Sequence, residues 1–424
     1  MQLKQLNLIL NNLNLYNKAH KNKIVEYYNV MTYYLMPKSI NIDIKNIISI
    51  SLEESSPDYC INLSLRNYLK DIKLEIDNQD SWDNMKKYTN PYEYIHTIVP
   101  GYKTSICKYK PLSRSYFKMI EIIKSLYLLD DFVDHNIKTF HIAEGPGGFI
   151  EATNMMRNNK NDIYYGMTLI DNADYVPGWK KSRDFLNNNP HVNIEYGIDK
   201  TGNIFNLVNL DYCYNKYKNS MNFITGDGGF DFSSDFLNQE ISATNLILTQ
   251  IIYALLMQKK NGHFVIKFFD MFTRPSIEMI YLLNLFYNKV YLLKPNTSRY
   301  ANSERYVICK NFKYSNTNFL YDKFYSILEN INNNPEKKIN SILNVNVPYI
   351  YFTKIEEYNA ILGQQQIEII KQTIQLINSE GYVKSEKIEN YKKNNIFRCI
   401  QWCIKNKHIY YKNINSSNIF LFNN

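Results

Sequence analysis

An α/β protein with a mostly parallel sheet, an antiparallel hairpin at one edge and mainly helical extensions at both ends is the fold class this sequence predicts. Three observations lead there. Between residues 137 and 310, strand-like and helix-like stretches alternate, as they do where crossover helices cover both faces of a sheet. The last two strand-like stretches stand too close for a crossover helix, so they pair as a hairpin at the sheet edge. Outside this block, residues 1–95 and 315–424 read as helices and polar turns, with no strong period-two pattern.

Taken in order, the N-terminal helical region (1–95) closes at "KKYTNPYEYI" (Lys86–Ile95), where the Asn-Pro step signals a turn. The α/β domain (96–314) opens on "PLSRSYFKMIEIIKSLYLL" (Pro111–Leu129). There Ser113 is placed to cap, and Phe117, Ile120, Ile123, Leu126 and Tyr127 recur at helical spacing. Strands are expected over 137–143, 162–169, 192–197 and 221–227, with a helix over 149–157. "NLILTQIIYALLMQKK" (Asn245–Lys260) is a long apolar helix that Gly262 should stop. "HFVIKFF" (263–269), a helix from Ser276, "KVYLLK" (289–294) and "RYVICK" (305–310) complete the domain. In the C-terminal appendage (315–424), "ENINNNPEKKIN" (329–340) reads as a polar linker, followed by amphipathic helices over 355–378 and 387–404.

With 45% hydrophobic and 21% charged residues in 424, the chain has the balance of an ordinary globular protein. Asn, Ile, Lys and Tyr are overused as in an AT-rich coding bias, so a single Lys or Tyr carries less weight. A net charge of +9 suits a nucleic-acid partner. The six cysteines are scattered, without CxxC or zinc-finger spacing, so no metal is expected and the thiols suit a reducing, cytosol-like compartment. Cys399 and Cys403, one helical turn apart, read as core packing. No apolar run approaches the ~18 residues of a membrane span, and "MQLKQLNLILNNLNL" lacks a signal peptide's apolar stretch, so no membrane partner is expected.

Chemistry concentrates in "HIAEGPGGFIEATN" (His141–Asn154). A chain with 14 glycines places three of them, Gly145, Gly147 and Gly148, around Pro146 in the turn after the first sheet strand. Ligands of open α/β sheets bind at such turns, where glycine permits close backbone approach and a helix N-terminus offers N–H groups. The stretch is neither GxGxxG nor a Walker loop. Its E-G-P-G-G order resembles the S-adenosylmethionine loop of the FtsJ-like ribose 2′-O-methyltransferases. Gly262–Lys310 is similar to the mRNA cap 2′-O-methyltransferases of that family: a strand-borne lysine, F-D-x-F-T, an apolar helix, K-P-x-x-S-R and N-S-E-R-Y-V occur in order. "TNPYEYI" and "SRSYFKMIEI" resemble the segments before the family's cofactor loop, so the likeness runs over about residues 86–310.

The resemblance implies a Rossmann-like S-adenosylmethionine-dependent methyltransferase fold, S-adenosylmethionine as cofactor and the capped mRNA 5′ end as partner, with other capping enzymes as further company. The family's Lys-Asp-Lys-Glu tetrad falls on Lys118, Asp227, Lys267 and Glu304. Lys267 stands out on the residues alone, because it interrupts an apolar strand expected to be buried on both faces. A ribose hydroxyl is a poor nucleophile, so its methylation needs alignment and a destination for the proton. Lys267 is assigned that task, Lys118 the stabilisation of charge on oxygen, and the two acids the placing of the lysines. Cofactor contacts carried over are Ser113, Glu144, Gly145, Pro146, Gly147, Gly148, Phe149, Asp199 and Asp227, although a plain turn accounts for Asp199 equally well.

RNA is expected to cross Arg114, Arg274 and Arg299, with Lys103, Lys108 and Lys110 as further candidates. Many relatives have an acid at the His141 position and a small residue at Glu144. The His-x-x-Glu order resembles the branch acting on the second transcribed nucleotide, which leaves first-against-second specificity open. A viral member would be expected in the host cytoplasm, with carriage in the particle a further expectation. Two other functions stay open: a ribosomal RNA ribose methyltransferase, and a non-catalytic RNA-binding subunit that keeps the fold.

Overall fold

The computed structural model describes residues 33–39, 42–171, 178–230 and 237–412. Its strands are β1 (Tyr33–Leu35), β2 (Ile48–Glu53), β3 (Lys138–Ile142), β4 (Ile163–Met167), β5 (Val192–Ile194), β6 (Met221–Gly226), β7 (Gln258–Phe269), β8 (Tyr287–Leu293), β9 (Glu304–Phe312) and β10 (Lys338–Leu343). Eight of them form one sheet in the order β1-β8-β9-β7-β6-β3-β4-β5. β3 to β7 run parallel, and β9 is antiparallel to both β7 and β8. All of β6, and β3 beyond Lys138, are buried, as strands covered on both faces by helices must be.

The hairpin of β8 and β9 is present, but it is not the edge. β1, from the N-terminal region, pairs antiparallel with β8 through Tyr33↔Leu293 to Leu35↔Tyr291 and becomes the outermost strand. β2 pairs with β10 in a separate two-stranded sheet. Both extensions therefore contain strands that a helical reading overlooked. The supposed linker at 329–340 is likewise ordered. Phe324, Ile327, Leu328 and Ile331 bury one face of the helix Tyr321–Asn333, and the chain then turns directly into β10. Apolar spacing at every third and fourth residue outweighed the run of asparagines.

Two local stops also differ from expectation. The long apolar helix is Gln239–Met257, and the chain passes straight into β7 at Gln258, so Gly262 lies inside a strand. A Cβ at Gly262 would come within 2.2 Å of Gln258 Nε2 and 2.7 Å of Asn222 O, so this glycine answers a crowding constraint, not a helix stop. By length and composition this helix could cross a membrane, yet 89% of its most apolar window is buried in the core. The helix Ser115–Leu126 begins after Arg114, and Ser113 makes no capping bond. Cys399 and Cys403 are buried on the helix Gly381–Lys405, in keeping with the core-packing reading.

β3 and β6 are neighbours whose following loops lead to opposite sides of the sheet, which makes their carboxyl ends the switch point. The extensions are tied to the strand ends nearby. Arg305 on β9 is 2% exposed and donates to Asn359 Oδ1 (2.5 Å) of the helix Tyr349–Ile377, Asp270 Oδ1 (3.2 Å) and Ser303 O (3.3 Å). Lys73 of the helix Leu63–Leu74 holds the other oxygen of Asp270 at 3.4 Å. Removing one member of a buried ion pair typically costs ~3–5 kcal/mol. Arg305→Ala should lose about that much in equilibrium urea unfolding, with Arg305→Lys intermediate because it lacks the planar fork. A loss below about 1 kcal/mol, the range of an exposed pair, would show that this bridge does not hold the extensions.

Candidate active site

β7 carries Lys267 to the switch point. Its Nζ donates to Asp227 O at 2.7 Å and stands 3.3 Å from Asp227 Oδ1, just beyond the end of β6. The antiparallel register sets Lys267 opposite Tyr306 and Phe269 opposite Glu304, so all four share one face of the sheet. Tyr306 donates its hydroxyl to Asp227 Oδ1 at 3.0 Å. Lys118 arrives from the helix Ser115–Leu126 and reaches both oxygens of Glu304, at 2.7 and 2.8 Å. Ser298 donates to Glu304 Oε1 at 2.7 Å. Burial would raise the Glu304 carboxyl, but Lys118 and then Lys267 overcome it and hold the pKa at about 2. The four tetrad positions thus form two ion pairs, each with one member on a strand, β7 for Lys267 and β9 for Glu304.

A third lysine, Lys294, went unassigned in the sequence. It is buried at the end of β8, and its ammonium donates to Asn302 O (2.8 Å), Asn302 Oδ1 (2.8 Å) and Glu304 O (2.7 Å). Burial brings its pKa down to about 7, against the attraction of Glu304. The available signal was the one that singled out Lys267: a lysine against an apolar run, here "VYLLK".

The glycine loop is packed differently from the expectation. Gly147 has φ +105°, a conformation that favours glycine. The tight approach of Gly148 is to its own chain, since a Cβ there would lie 2.2 and 2.3 Å from the hydroxyls of Ser115 and Ser113. A Cβ at Gly145 would lie 2.7 Å from Gly178 O. The first-turn amides are also occupied: Phe149 N–H and Ile150 N–H donate to Glu144 at 2.5 and 3.4 Å. Pro146 O accepts from the Ser182 hydroxyl, and the ring of Phe149 lies 5.9 Å from that of Tyr306.

Two carboxylates face this switch point. Glu144 is buried, and burial followed by repulsion from Asp227 pushes its carboxyl well above the usual range. Beside the loop, Trp179 approaches Gly147, and its buried indole N–H has no partner among the described residues. His141 lies elsewhere, fully buried within the sheet between Thr225 Oγ1 (2.8 Å) and Thr139 Oγ1 (3.0 Å). Burial lowers its pKa to about 3, so it is a neutral core histidine. Asp199 serves as a turn organiser, taking bonds from Thr201 N (2.9 Å), Thr201 Oγ1 (2.8 Å), Asn206 Nδ2 (2.6 Å) and Asn209 Nδ2 (2.8 Å). Its lone pairs are spent on its own loop, as the plain-turn reading required.

None of the three arginines expected to meet RNA is a free cation. Arg114 donates to Glu93 Oε2 (2.8 Å) and twice to Thr297 O (3.2 and 3.0 Å), with its side chain 16% exposed. Arg299 grips both oxygens of Glu93, at 3.0 and 2.7 Å. Arg274 pairs with Glu278 at 2.6 Å. Arg114 is therefore a structural residue, whereas Arg299 and Arg274 keep part-exposed guanidiniums that are each already paired with an acid. Glu93, the shared partner of Arg114 and Arg299, is fully buried in the turn after "TNPY" and was not singled out in the sequence. Lys103, Lys108 and Lys110 are exposed.

Residues 111–312 match the family described as FtsJ-like methyltransferase. This chain carries an FtsJ-like methyltransferase domain, and its mostly parallel sheet agrees with it. It is 34% identical over 227 residues to cap-specific mRNA (nucleoside-2′-O-)-methyltransferase 1 of Mus musculus, covering 51% of this chain and 26% of that protein. The Bos taurus protein of the same name is 30% identical over 309 residues, 70% of this chain and 36% of the relative. Cap-specific mRNA (nucleoside-2′-O-)-methyltransferase 2 of Pongo abelii is 25% identical over 340 residues, 77% of this chain and 43% of the relative. The chain thus spans less than half the length of each.

The Glu93 cluster has a pH signature. Burial opposes its ionisation, but Arg114 and Arg299 hold its carboxyl well below the ordinary range. A group depressed in the folded state stabilises fully above its unfolded pKa, about 4.3 for Glu, and loses that contribution as pH falls. Glu93→Gln should therefore cost ~3 kcal/mol or more at pH 7, with the gap to wild type closing steadily below about pH 4.5. Urea unfolding across this range checks it, and a gap independent of pH would contradict the ionic account.

Proposed function

We propose that this chain transfers a methyl group from S-adenosylmethionine to the ribose 2′-hydroxyl of the first or second transcribed nucleotide of capped mRNA. The observation that carries the proposal is the meeting of Lys118, Asp227, Lys267 and Glu304 as two ion pairs at the carboxyl ends of β6 and β7. The cap-specific names of the relatives support the choice of substrate.

The residues at the switch point fit a cationic cofactor. Glu144 and Asp227 repel one another, which a positive charge beside them would relieve, and Trp179 offers a spare N–H donor. When bound, S-adenosylmethionine supplies a methyl carbon already activated by its sulfonium charge. Glu144, Asp227 and the Gly145–Phe149 loop would hold it.

This chain's side chains align the hydroxyl and receive its proton. Lys267 donates one N–H to Asp227 O and lies 3.3 Å from Asp227 Oδ1 as an ion pair, which leaves a position on Nζ for the ribose oxygen. In its neutral form it accepts the hydroxyl proton as the oxygen attacks, and ends as an ammonium paired with Asp227. Lys118, fixed by both oxygens of Glu304, contributes positive charge where the oxygen becomes negative. Other capping enzymes are the partners such an activity would keep, in the reducing compartment that the cysteines suit. The departure at His141 lends nothing to a non-catalytic reading, because that ring lies within the sheet core.

Lys267→Ala should lose ~10²–10⁴-fold or more in methyl transfer to a short capped RNA. Lys267→Arg should be nearly as damaged, because arginine keeps its proton. Both variants should still bind the cofactor by calorimetry. Near-normal turnover in the arginine variant would leave Lys267 only an electrostatic role. Near-normal turnover in the alanine variant would remove the tetrad assignment altogether.

A further inference from the structure

The chemistry above leaves one buried carboxylate unused. Glu121 lies one helical turn beyond Lys118 on the same helix and is 5% exposed. It accepts Asn296 N–H at 2.8 Å, Thr297 N–H at 2.9 Å and the indole N–H of Trp402 at 2.9 Å. Burial pushes its carboxyl up, while these three donors favour the ionised form.

The two amides belong to the connection between β8 and β9, the segment that brings Ser298 to Glu304 and Thr297 O to Arg114. Trp402 belongs to the C-terminal helix Gly381–Lys405, 281 residues away in the chain. Its indole also packs edge-on against Phe117, next to Lys118, with ring centres 5.4 Å apart. The turn after this helix grips the Lys118 helix twice more, through Lys124 Nζ to Asn406 O (3.0 Å) and the Tyr116 hydroxyl with His408 Nε2 (2.8 Å).

We propose that Trp402 and Glu121 are positioning residues for the tetrad: the C-terminal helix, through this carboxylate, sets the Ser298 loop and hence the Lys118–Glu304 pair. The chain of contacts is continuous. Trp402 and the amides of Asn296 and Thr297 share one carboxylate, Ser298 follows those amides, and its hydroxyl meets the oxygen of Glu304 that Lys118 also holds at 2.7 Å. A loop fixed at two successive amides has little freedom to carry the next residue elsewhere. The helical appendage is then part of the active site. This rests on the methyl-transfer reading above, and its test is built so that the two can fail separately.

Trp402→Phe keeps an aromatic ring against Phe117 and deletes the N–H donor, together with the volume of the second indole ring. In the full chain it should lower kcat by about 10- to 100-fold, the scale of a slight misplacement of reacting groups. KM for the capped RNA and for S-adenosylmethionine should stay within about twofold, as expected when only transition-state interactions are lost. In a Ser298→Ala background the same change should cost much less, because both act through one contact. Hydrogen exchange at the amides of Asn296 and Thr297 should quicken by more than at the amides of the sheet core, so that the local loosening stands apart from any overall loss of stability. Should Trp402→Phe fold poorly, Glu121→Gln, which keeps the shape, is measured in the same way and should give the same pattern.

An unchanged kcat, or losses that multiply fully in the Ser298→Ala background, would overturn the positioning role. If wild-type protein shows no turnover, the methyl-transfer reading fails by itself. Exchange at the two amides then decides the positioning claim, and protection equal to wild type would overturn it.

Discussion

Everything near the switch point depends on how the chain buries Glu304. A carboxylate removed from water costs several kcal/mol unless it is paired and its oxygens are filled. Here Lys118 takes both oxygens, Ser298 takes one of them again, and Lys294 binds the backbone carbonyl of the same residue. These partners come from the helix that precedes β3, from the end of β8 and from the loop leading into β9. The charge can be buried only when these three segments have met, so forming the pair and assembling the domain are one event.

The same logic repeats outward. Glu93 binds Arg114 and Arg299, Glu121 binds two loop amides and Trp402, and Asp270 binds Lys73 and Arg305. Each is an acid near this end of the sheet whose partners come from other segments of the chain. The N-terminal and C-terminal segments are thus joined to the methyltransferase domain by buried charge as well as by apolar packing. Such pairs are costly to break singly, which gives the edge a defined geometry.

How far the sequence revealed this follows from the range of its signals. Apolar runs disclosed β3, β6 and β7 because strands buried on both faces leave no room for polar residues. Lys267 was legible for the same reason, as a charge where none belongs. β1 and β2 were missed because short strands at a periphery bury too little to leave a pattern, although Ile48, Ile50 and Leu52 do alternate in β2. The partners of Arg114 and Arg299 were illegible. Arg299 lies 206 residues from Glu93, so an arginine committed to a buried acid cannot be told from one waiting for phosphate. Glycine misled in a related way: it reports that something comes close, and at Gly148 that something is a pair of serines of the same chain.

In the proposed reaction Lys267, held by Asp227, meets the ribose hydroxyl. A crystal structure of the chain with the demethylated cofactor and a short capped RNA tests it most directly. The account predicts a ribose 2′-oxygen within ~2.6–3.2 Å of Lys267 Nζ, with the Lys118–Glu304 pair kept. A ribose bound away from Lys267, or a Lys267 that has left Asp227 for the RNA phosphates, would contradict it.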